Sequence, residues 1–390
     1  MGMFLRAMGS PPVAIELWSG ERLCEGDGEP EITVRVKTRK ALWGLVTNPD
    51  LNFGDHYSDG TIEVVGDLYR LIELAGTSKP GLVSETGAIS RVQSLLGRGR
   101  PRSNTLAGSR ENIHHHYDLS NEFYSLWLDR DHMQYTCAYY PSAQITIEQS
   151  QAAKLHHVCR KLQIKAGDEV IEAGCGWGGL ARFIAKEYGA RVRAYNISHQ
   201  QIVFARDKAR EQGLEDRVEY VEDDYRNASG ECDVFVSVGM LEHVGVANYS
   251  SLGAVIDKCL RPDGRGLIHA IGRNRPRLMN RWIEKRIFPG AYPPTLKEMA
   301  AIFEPYNFSI LDVENLRLHY ALTLGQWLER FEGNVSKVRE MFDERFVRAW
   351  RLYLTGSIAA FRTGDLQLFQ VVFNRGDSNR VPMTREHLYA

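Results

Sequence analysis

Apolar residues alternate with polar ones near the start of the chain and gather into short blocks further along. In Glu31-Ile32-Thr33-Val34-Arg35-Val36-Lys37 the apolar Ile32, Val34 and Val36 share one face, as in a half-buried strand. Thr61–Val65 is also strand-like and Asp67–Leu74 is helical, so residues 1–90 read as a small α+β domain. From residue 165 the blocks become strand, helix, strand, helix. Strands are predicted at Asp168–Ala173, Arg191–Ile197, Val218–Val221, Asp233–Val238 and Gly266–Ile271, with helices at Gly179–Tyr188, Ser198–Gln212 and Tyr249–Leu260. That alternation predicts a parallel, doubly wound α/β sheet. The tail adds an amphipathic helical stretch, Val338–Phe361, and a strand-like Leu366–Phe373. The amphipathic stretch reads either as ordinary helix packing or as a lid over an apolar substrate. The domains expected are 1–90, a linker at 91–110, and a catalytic region at 111–390.

Charge and cysteine content narrow the class. The 390 residues carry 48 Lys+Arg against 49 Asp+Glu, a formal net charge of −1, so the chain has no overall electrostatic footprint of a nucleic-acid binder. The six cysteines are scattered without CxxC pairs, which reads as reduced thiols in a cytosol. No stretch approaches the ~18 apolar residues of a membrane span. The N-terminal apolar segment is too short for a signal peptide, and Arg6 breaks the myristoylation pattern. A soluble, cytoplasmic chain is expected. The linker holds Arg91, Arg98, Arg100, Arg102 and Arg110 and no acidic residue. It is either simply solvated or drawn to anionic lipid headgroups, at about 1 kcal/mol per basic residue. The run His114-His115-His116 lacks partners at ligand spacing, and no metal is expected.

Candidate chemistry centres on Val170-Ile171-Glu172-Ala173-Gly174-Cys175-Gly176-Trp177-Gly178-Gly179, a glycine-rich turn between the first strand and first helix of the α/β region. Glycines there allow positive φ and close approach of a ligand to the backbone. With Glu172 two positions before Gly174, and without the third glycine of a dinucleotide site, the pattern resembles motif I of class I S-adenosylmethionine (SAM) methyltransferases. That resemblance implies a Rossmann-like fold and SAM in preference to NAD. At the end of the second strand, Asn196 and Gln201 either hydrogen-bond the cofactor or simply start a helix. The third strand ends in Glu222-Asp223-Asp224-Tyr225, either a carboxylate placed for an adenine amino group or a solvated acidic loop.

Three further segments complete a pattern: His115-His116-Tyr117-Asp118-Leu119-Ser120, Met133-Gln134-Tyr135-Thr136-Cys137-Ala138-Tyr139-Tyr140, and Ser237-Val238-Gly239-Met240-Leu241-Glu242-His243-Val244-Gly245. Together with the glycine turn they resemble the cyclopropane-fatty-acyl-phospholipid synthase family, which includes the mycolic acid cyclopropane synthases. The resemblance runs from about residue 110 to Arg375. Phe53–Gly60 resembles the leader domain of the bacterial phospholipid enzymes.

The resemblance implies that Tyr117, Tyr135, Thr136, Gly174, Gly176, Asn196, Ile197, Gln201 and Asp224 surround SAM, beside Glu172 and Tyr225 from the turn and the third strand. Asn196 departs from the usual Thr of the family. A bicarbonate ion is implied at Glu242, His269 and Tyr320, with Cys137 and Ile271 contributing through their backbones. The implied reaction adds a methylene across the cis double bond of an unsaturated acyl chain in membrane phospholipid, with bicarbonate-assisted deprotonation. The alternatives are a methyl- or methylene-branched acyl product, or methylation of a small molecule. Tyr135, Tyr139, Tyr140 and Trp177 are either rings that stabilise a cation or packing residues. Expected partners are lipid acyl chains and an anionic membrane surface, met reversibly at its inner face. No nucleic acid is expected, and a homodimer is left open.

Overall fold

The structure is a computed structural model that describes residues 12–24, 29–77 and 119–389. The linker, the His114–His116 run and Tyr117 lie outside the described residues. The chain forms two compact units. Among the described residues, one joins the N-terminal stretch with 279–287 and 324–365, and the other holds 119–278, 288–323 and 366–389. These interleaved boundaries differ from the contiguous 1–90 and 111–390 of the sequence reading.

In the first unit, strands β1 (Val13–Leu17), β2 (Arg22–Cys24), β3 (Ile32–Val36) and β4 (Ile62–Val65) form a sheet of order β2-β1-β3-β4. Ile32, Val34 and Val36 are buried with Val13, Ile15, Ala41 and Leu71, on the face that the alternation assigned to the core. Helix Arg39–Thr47 starts where the Thr38 hydroxyl accepts from Ala41 N at 3.1 Å. The amphipathic tail is two helices, Val335–Met341 and Glu344–Thr363, because Asp343 is extended and caps the second by accepting from Phe346 N at 2.7 Å. The longer helix belongs to this unit. Its Arg348 donates to the carbonyls of Tyr57 (2.6 Å) and Ile62 (3.0 Å) and lies 4.3 Å from the Tyr57 ring centroid.

The second unit is built on seven strands: β5 (Glu169–Ala173), β6 (Arg191–Asn196), β7 (Val218–Glu222), β8 (Cys232–Val238), β9 (Leu260–Gly272), β10 (Phe308–Asn315) and β11 (Gln367–Arg375). Their order is β10-β11-β9-β8-β5-β6-β7. The run from β9 to β7 is parallel, whereas β11 pairs antiparallel with both β9 and β10. The sheet is therefore mixed at one edge, where the sequence predicted a parallel one. Val170, Val192, Val234 and Val236 pack one apolar layer with helices Ile147–Leu162 and Gly179–Phe183, and Ile171, Phe235, Ile268 and Ala270 pack the other with helix Tyr249–Cys259. Burial on both faces explains why these strands read as unbroken apolar blocks. Each fully buried Val, Ile or Phe contributes about 1.5–3 kcal/mol. The predicted helix 179–188 is α-helical to Phe183 and continues as a π turn from Ile184 to Tyr188.

Helix Ile147–Leu162 opens with a capping box between Thr146 and Gln149 and closes at Gln163 with φ 52°. Its buried side includes Gln151, Lys154, His157 and Lys161. Lys161 Nζ contacts Glu314 Oε2 at 2.5 Å, and His157 Nε2 meets the same oxygen at 2.7 Å. Burial alone would raise the Glu314 pKa, but the His157 hydrogen bond and the Lys161 charge outweigh it and hold the carboxyl at about 2. A carboxyl whose folded pKa is depressed contributes stability above its unfolded pKa and loses it as pH falls toward the folded value. Glu314→Gln should therefore cost about 3 kcal/mol near neutral pH. Urea unfolding should show the gap between variant and wild type closing as pH falls from the ordinary 4.5 to about 2.

Candidate active site

The glycine turn leaves β5 with Gly174, Gly176 and Gly178 all at positive φ (83°, 53° and 74°). The Gly174 and Cys175 amides both donate to the Tyr195 carbonyl at 3.0 Å, which ties the turn to the end of β6. Asn196 fastens it from the side. Its Nδ2 donates to the Gly176 carbonyl (3.2 Å) and to Gln201 Oε1 (2.8 Å), while its Oδ1 accepts from Ser198 N. Asn196 thus braces the turn, and the following helix starts beyond it, with Ser198 at its N-cap. Gln201 is buried, and its Nε2 finds no partner among the described residues.

At the carboxyl ends of β5, β6 and β7 lies a cleft with about 480 Å³ of empty volume, part of it open to solvent. Gly174, Asn196, Ile197, Asp224 and Tyr225, all cofactor candidates of the sequence, are brought together in its lining. Tyr195, Met240, His243 and Val244 also line it; sequence reasoning assigned them no role of their own, although the last three stand inside the Ser237–Gly245 motif. Asp224 is buried, so the solvated-loop reading does not hold. Its oxygens are held by Arg226, with Nε to Oδ1 and Nη2 to Oδ2 both at 2.8 Å. A Cβ on Gly176 would meet no heavy atom within 4 Å. An open glycine edge, a buried amide donor beside it and a mostly apolar cleft fit a zwitterionic nucleoside cofactor such as SAM.

The other cofactor candidates are arranged around the turn. Glu172 does not line the cleft. Its carboxyl accepts from the Ala181 backbone, and burial pushes its pKa up to about 7 against the pull of Lys154 and Arg182. Thr136 packs against the end of β8, where a Cβ on Gly239 would lie 2.7 Å from its Cγ2, and its hydroxyl accepts from buried Lys154 at 3.1 Å. Lys154 also donates to Gln134. Tyr135 sits 5.4 Å from the Tyr124 ring and 5.2 Å from Trp127, and Trp177 lies 4.8 Å from Tyr124, so these rings pack as one aromatic cluster. Tyr139 is stacked between His157 (4.2 Å) and His319 (4.9 Å).

The five residues of the expected anion site fall into two groups at one level of the sheet. Glu242, on the short turn after β8, accepts from Ile271 N at 2.6 Å through Oε1, and its buried Oε2 has no partner among the described residues. Burial pushes its pKa up to about 7, partly offset by backbone donors. His269, two residues before Ile271, is 1% exposed. Its Nδ1 lies 3.0 Å from Gln370 Nε2, and its Nε2 has no partner among the described residues. Burial, with the charges of Lys154 and Lys161, holds its pKa well below the ordinary value, so the ring is neutral. The second group meets at the Leu316 carbonyl, which accepts from Tyr320 N at 3.2 Å and lies 3.9 Å from Cys137 Sγ. Leu316 N in turn donates to Leu368, the register partner of Ile271. The two groups are thus separated by β11 alone, about 10 Å at the usual strand spacing. Burial raises the Cys137 pKa, so its thiol stays protonated and is no nucleophile.

A mixed seven-stranded sheet with this strand order, and a glycine turn opening onto a cleft at its carboxyl ends, defines the class I SAM-dependent methyltransferase fold. A family model described as mycolic acid cyclopropane synthetase matches residues 105–371, and one described as a domain of unknown function matches residues 1–86. The chain is 41% identical over 364 residues to the cyclopropane-fatty-acyl-phospholipid synthase of Escherichia coli K12, covering 92% of each chain. It is 35% identical over 390 residues to the probable fatty acid methyltransferase of Pseudomonas putida, covering 97% of this chain and 96% of the other. The crystal structure of mycolic acid cyclopropane synthase CmaA1 complexed with SAH and CTAB superposes with a TM-score of 0.65 at 25% identity, covering 68% of this chain and 98% of that one. The chain belongs to the mycolic acid cyclopropane synthetase family, as the four motifs anticipated.

Gly176→Ala isolates the cofactor face of the turn. The new methyl meets nothing in the protein, so the cost is the left-handed backbone, about 1–2 kcal/mol, or a melting shift of about 2–8 °C. If the cofactor takes the open space beside this glycine, calorimetric titration with SAM should nevertheless show affinity reduced at least about tenfold.

Proposed function

We propose that this protein adds a methylene across the cis double bond of unsaturated acyl chains in membrane phospholipid, closing a cyclopropane ring with a bicarbonate ion as base. The observation that carries the reading is two buried atoms without a partner among the described residues, Glu242 Oε2 and His269 Nε2, at the ends of β8 and β9. Polar atoms buried this deeply are normally satisfied, so a pair left open at a strand-end site marks a place for a small polar guest. SAM, when bound, supplies an electrophilic methyl group, and alignment against the alkene can contribute about 7–11 kcal/mol. Bicarbonate, when bound, supplies the base that removes a proton from the transferred methyl.

The chain's own residues set the conditions for that chemistry. Glu242 accepts a hydrogen from the guest, and its pKa of about 7 keeps the ionised form available at neutral pH. His269, being neutral, holds the anion without pairing with it as a cation, which leaves the anion basic. Cys137 and Ile271 contribute backbone groups, and the Tyr320 phenol closes the set. The aromatic cluster of Tyr124, Tyr135 and Trp177 supplies an apolar wall for the acyl chain, on which a cation has to be kept from water. On the N-terminal unit, Trp43 is 70% exposed and Val46 59% exposed, which supports reversible contact with the inner membrane face. A second reading keeps the same cofactor and ends in a methyl- or methylene-branched chain. The name of the Pseudomonas putida relative, a probable fatty acid methyltransferase, favours keeping it.

Incubating the purified protein with SAM and vesicles of unsaturated phospholipid should give lipid heavier by one CH₂, with the protein floating alongside the vesicles. A lipid fraction unchanged in mass sinks the proposal. Proton NMR of the product separates a cyclopropane from a methylene branch, which share that mass. Glu242→Gln should bind SAM as the wild type does and lose about 10²–10⁴ in turnover. The raised carboxyl pKa means that wild-type stability falls as pH rises through about 7, so the same variant should melt higher than wild type above that pH.

A further inference from the structure

Three polar side chains stand in one row across the edge of the sheet. His269 on β9 is the register partner of Gln370 on β11, and Gln370 is the register partner of Glu314 on β10. Directly opposed residues share a face, so the three side chains lie side by side on the face covered by helix Ile147–Leu162. Lys161 of that helix donates to Gln370 Oε1 at 2.7 Å and to Glu314 Oε2 at 2.5 Å. A lysine ammonium has donors only, so the atom of Gln370 facing it is the carbonyl oxygen. The amide nitrogen then faces His269 Nδ1 at 3.0 Å, and an amide nitrogen only donates. Nδ1 must therefore be the acceptor, and the single proton of the neutral ring sits on Nε2, the atom with no partner among the described residues.

We infer that Gln370, oriented by Lys161 and Glu314, is a positioning residue that fixes His269 as the Nε2–H tautomer and so makes it a hydrogen-bond donor to the anion in the site. The consequence for the anion rests on the bicarbonate reading above; the tautomer itself does not. The opposite tautomer would turn a lone pair toward the anion and repel it. Ring orientation set by a hydrogen bond at the other nitrogen is how histidines are usually committed to one role.

The test is long-range proton–nitrogen correlation NMR on full-length protein labelled with ¹⁵N-histidine, with the His269 signals identified by their loss in His269→Gln. Near neutral pH the wild type should show a protonated Nε2 and a bare Nδ1. A proton on Nδ1 overturns the inference. In Gln370→Glu a carboxylate replaces the amide donor, and Nδ1 should gain the proton while calorimetric affinity for SAM stays at the wild-type value. If Nδ1 remains bare in that variant, Gln370 does not set the tautomer. Should that variant fail to fold, Gln370→Met removes the donor without adding charge, and a protonated Nδ1 population should appear; its absence again overturns the inference. Titration with ¹³C-bicarbonate separates the two readings. Gln370→Glu should bind it at least about tenfold more weakly than wild type, the scale of one charge-assisted hydrogen bond. If wild type shows the expected tautomer and no bicarbonate binding, the anion reading fails and the tautomer stands; equal binding by both overturns the donor role.

Discussion

Burial of the seven-stranded sheet on both faces is the constraint from which the rest follows. A polar group inside such a sheet is costly unless partnered, and a ligand can approach only where the strands end. Both outcomes are present. The glycine turn, Asn196 and Asp224 sit at strand ends around an open cleft. Lys161, Glu314, Gln370 and His269 lie within the layers and partner one another almost completely. What is left unpartnered there, Nε2 of His269, belongs to the last strand residues before the cleft end of β9.

The row across β9, β11 and β10 shows how register carries chemistry. A slip of one residue would send Gln370 to the other face and leave both Lys161 and His269 without it. The antiparallel return of β11 therefore does more than close an edge. It brings a residue far along the chain beside a histidine on β9 and links Leu316 through Leu368 to Ile271. Breaking a buried, mutually satisfied network is costly because the groups left behind stay desolvated.

Local signals made part of this legible. The alternation at Ile32–Val36, the apolar blocks of β5, β6 and β8, and the positive-φ glycines of the turn are short-range features, and each lies where its pattern placed it. The family motifs carried the list of candidate residues. Helix Ile147–Leu162 went unread because its buried side carries Gln151, Lys154, His157 and Lys161, which look like a solvated face until their partners from β10 and β11 are known. The same holds for the tail, whose apolar stripe announces a buried helix without saying which unit buries it; Arg348 at Tyr57 decides that.

The sequence by itself determined the α/β class, the glycine turn and the chemistry that its motifs imply, because those depend on residue spacing within a few turns of chain. Only the tertiary structure decided that the sheet is mixed, that the domains interleave, and that Asp224 is closed by Arg226 while one oxygen of Glu242 has no partner among the described residues. Those outcomes depend on which residues distant in sequence end up opposite one another, and on the desolvation that follows. No local pattern records either.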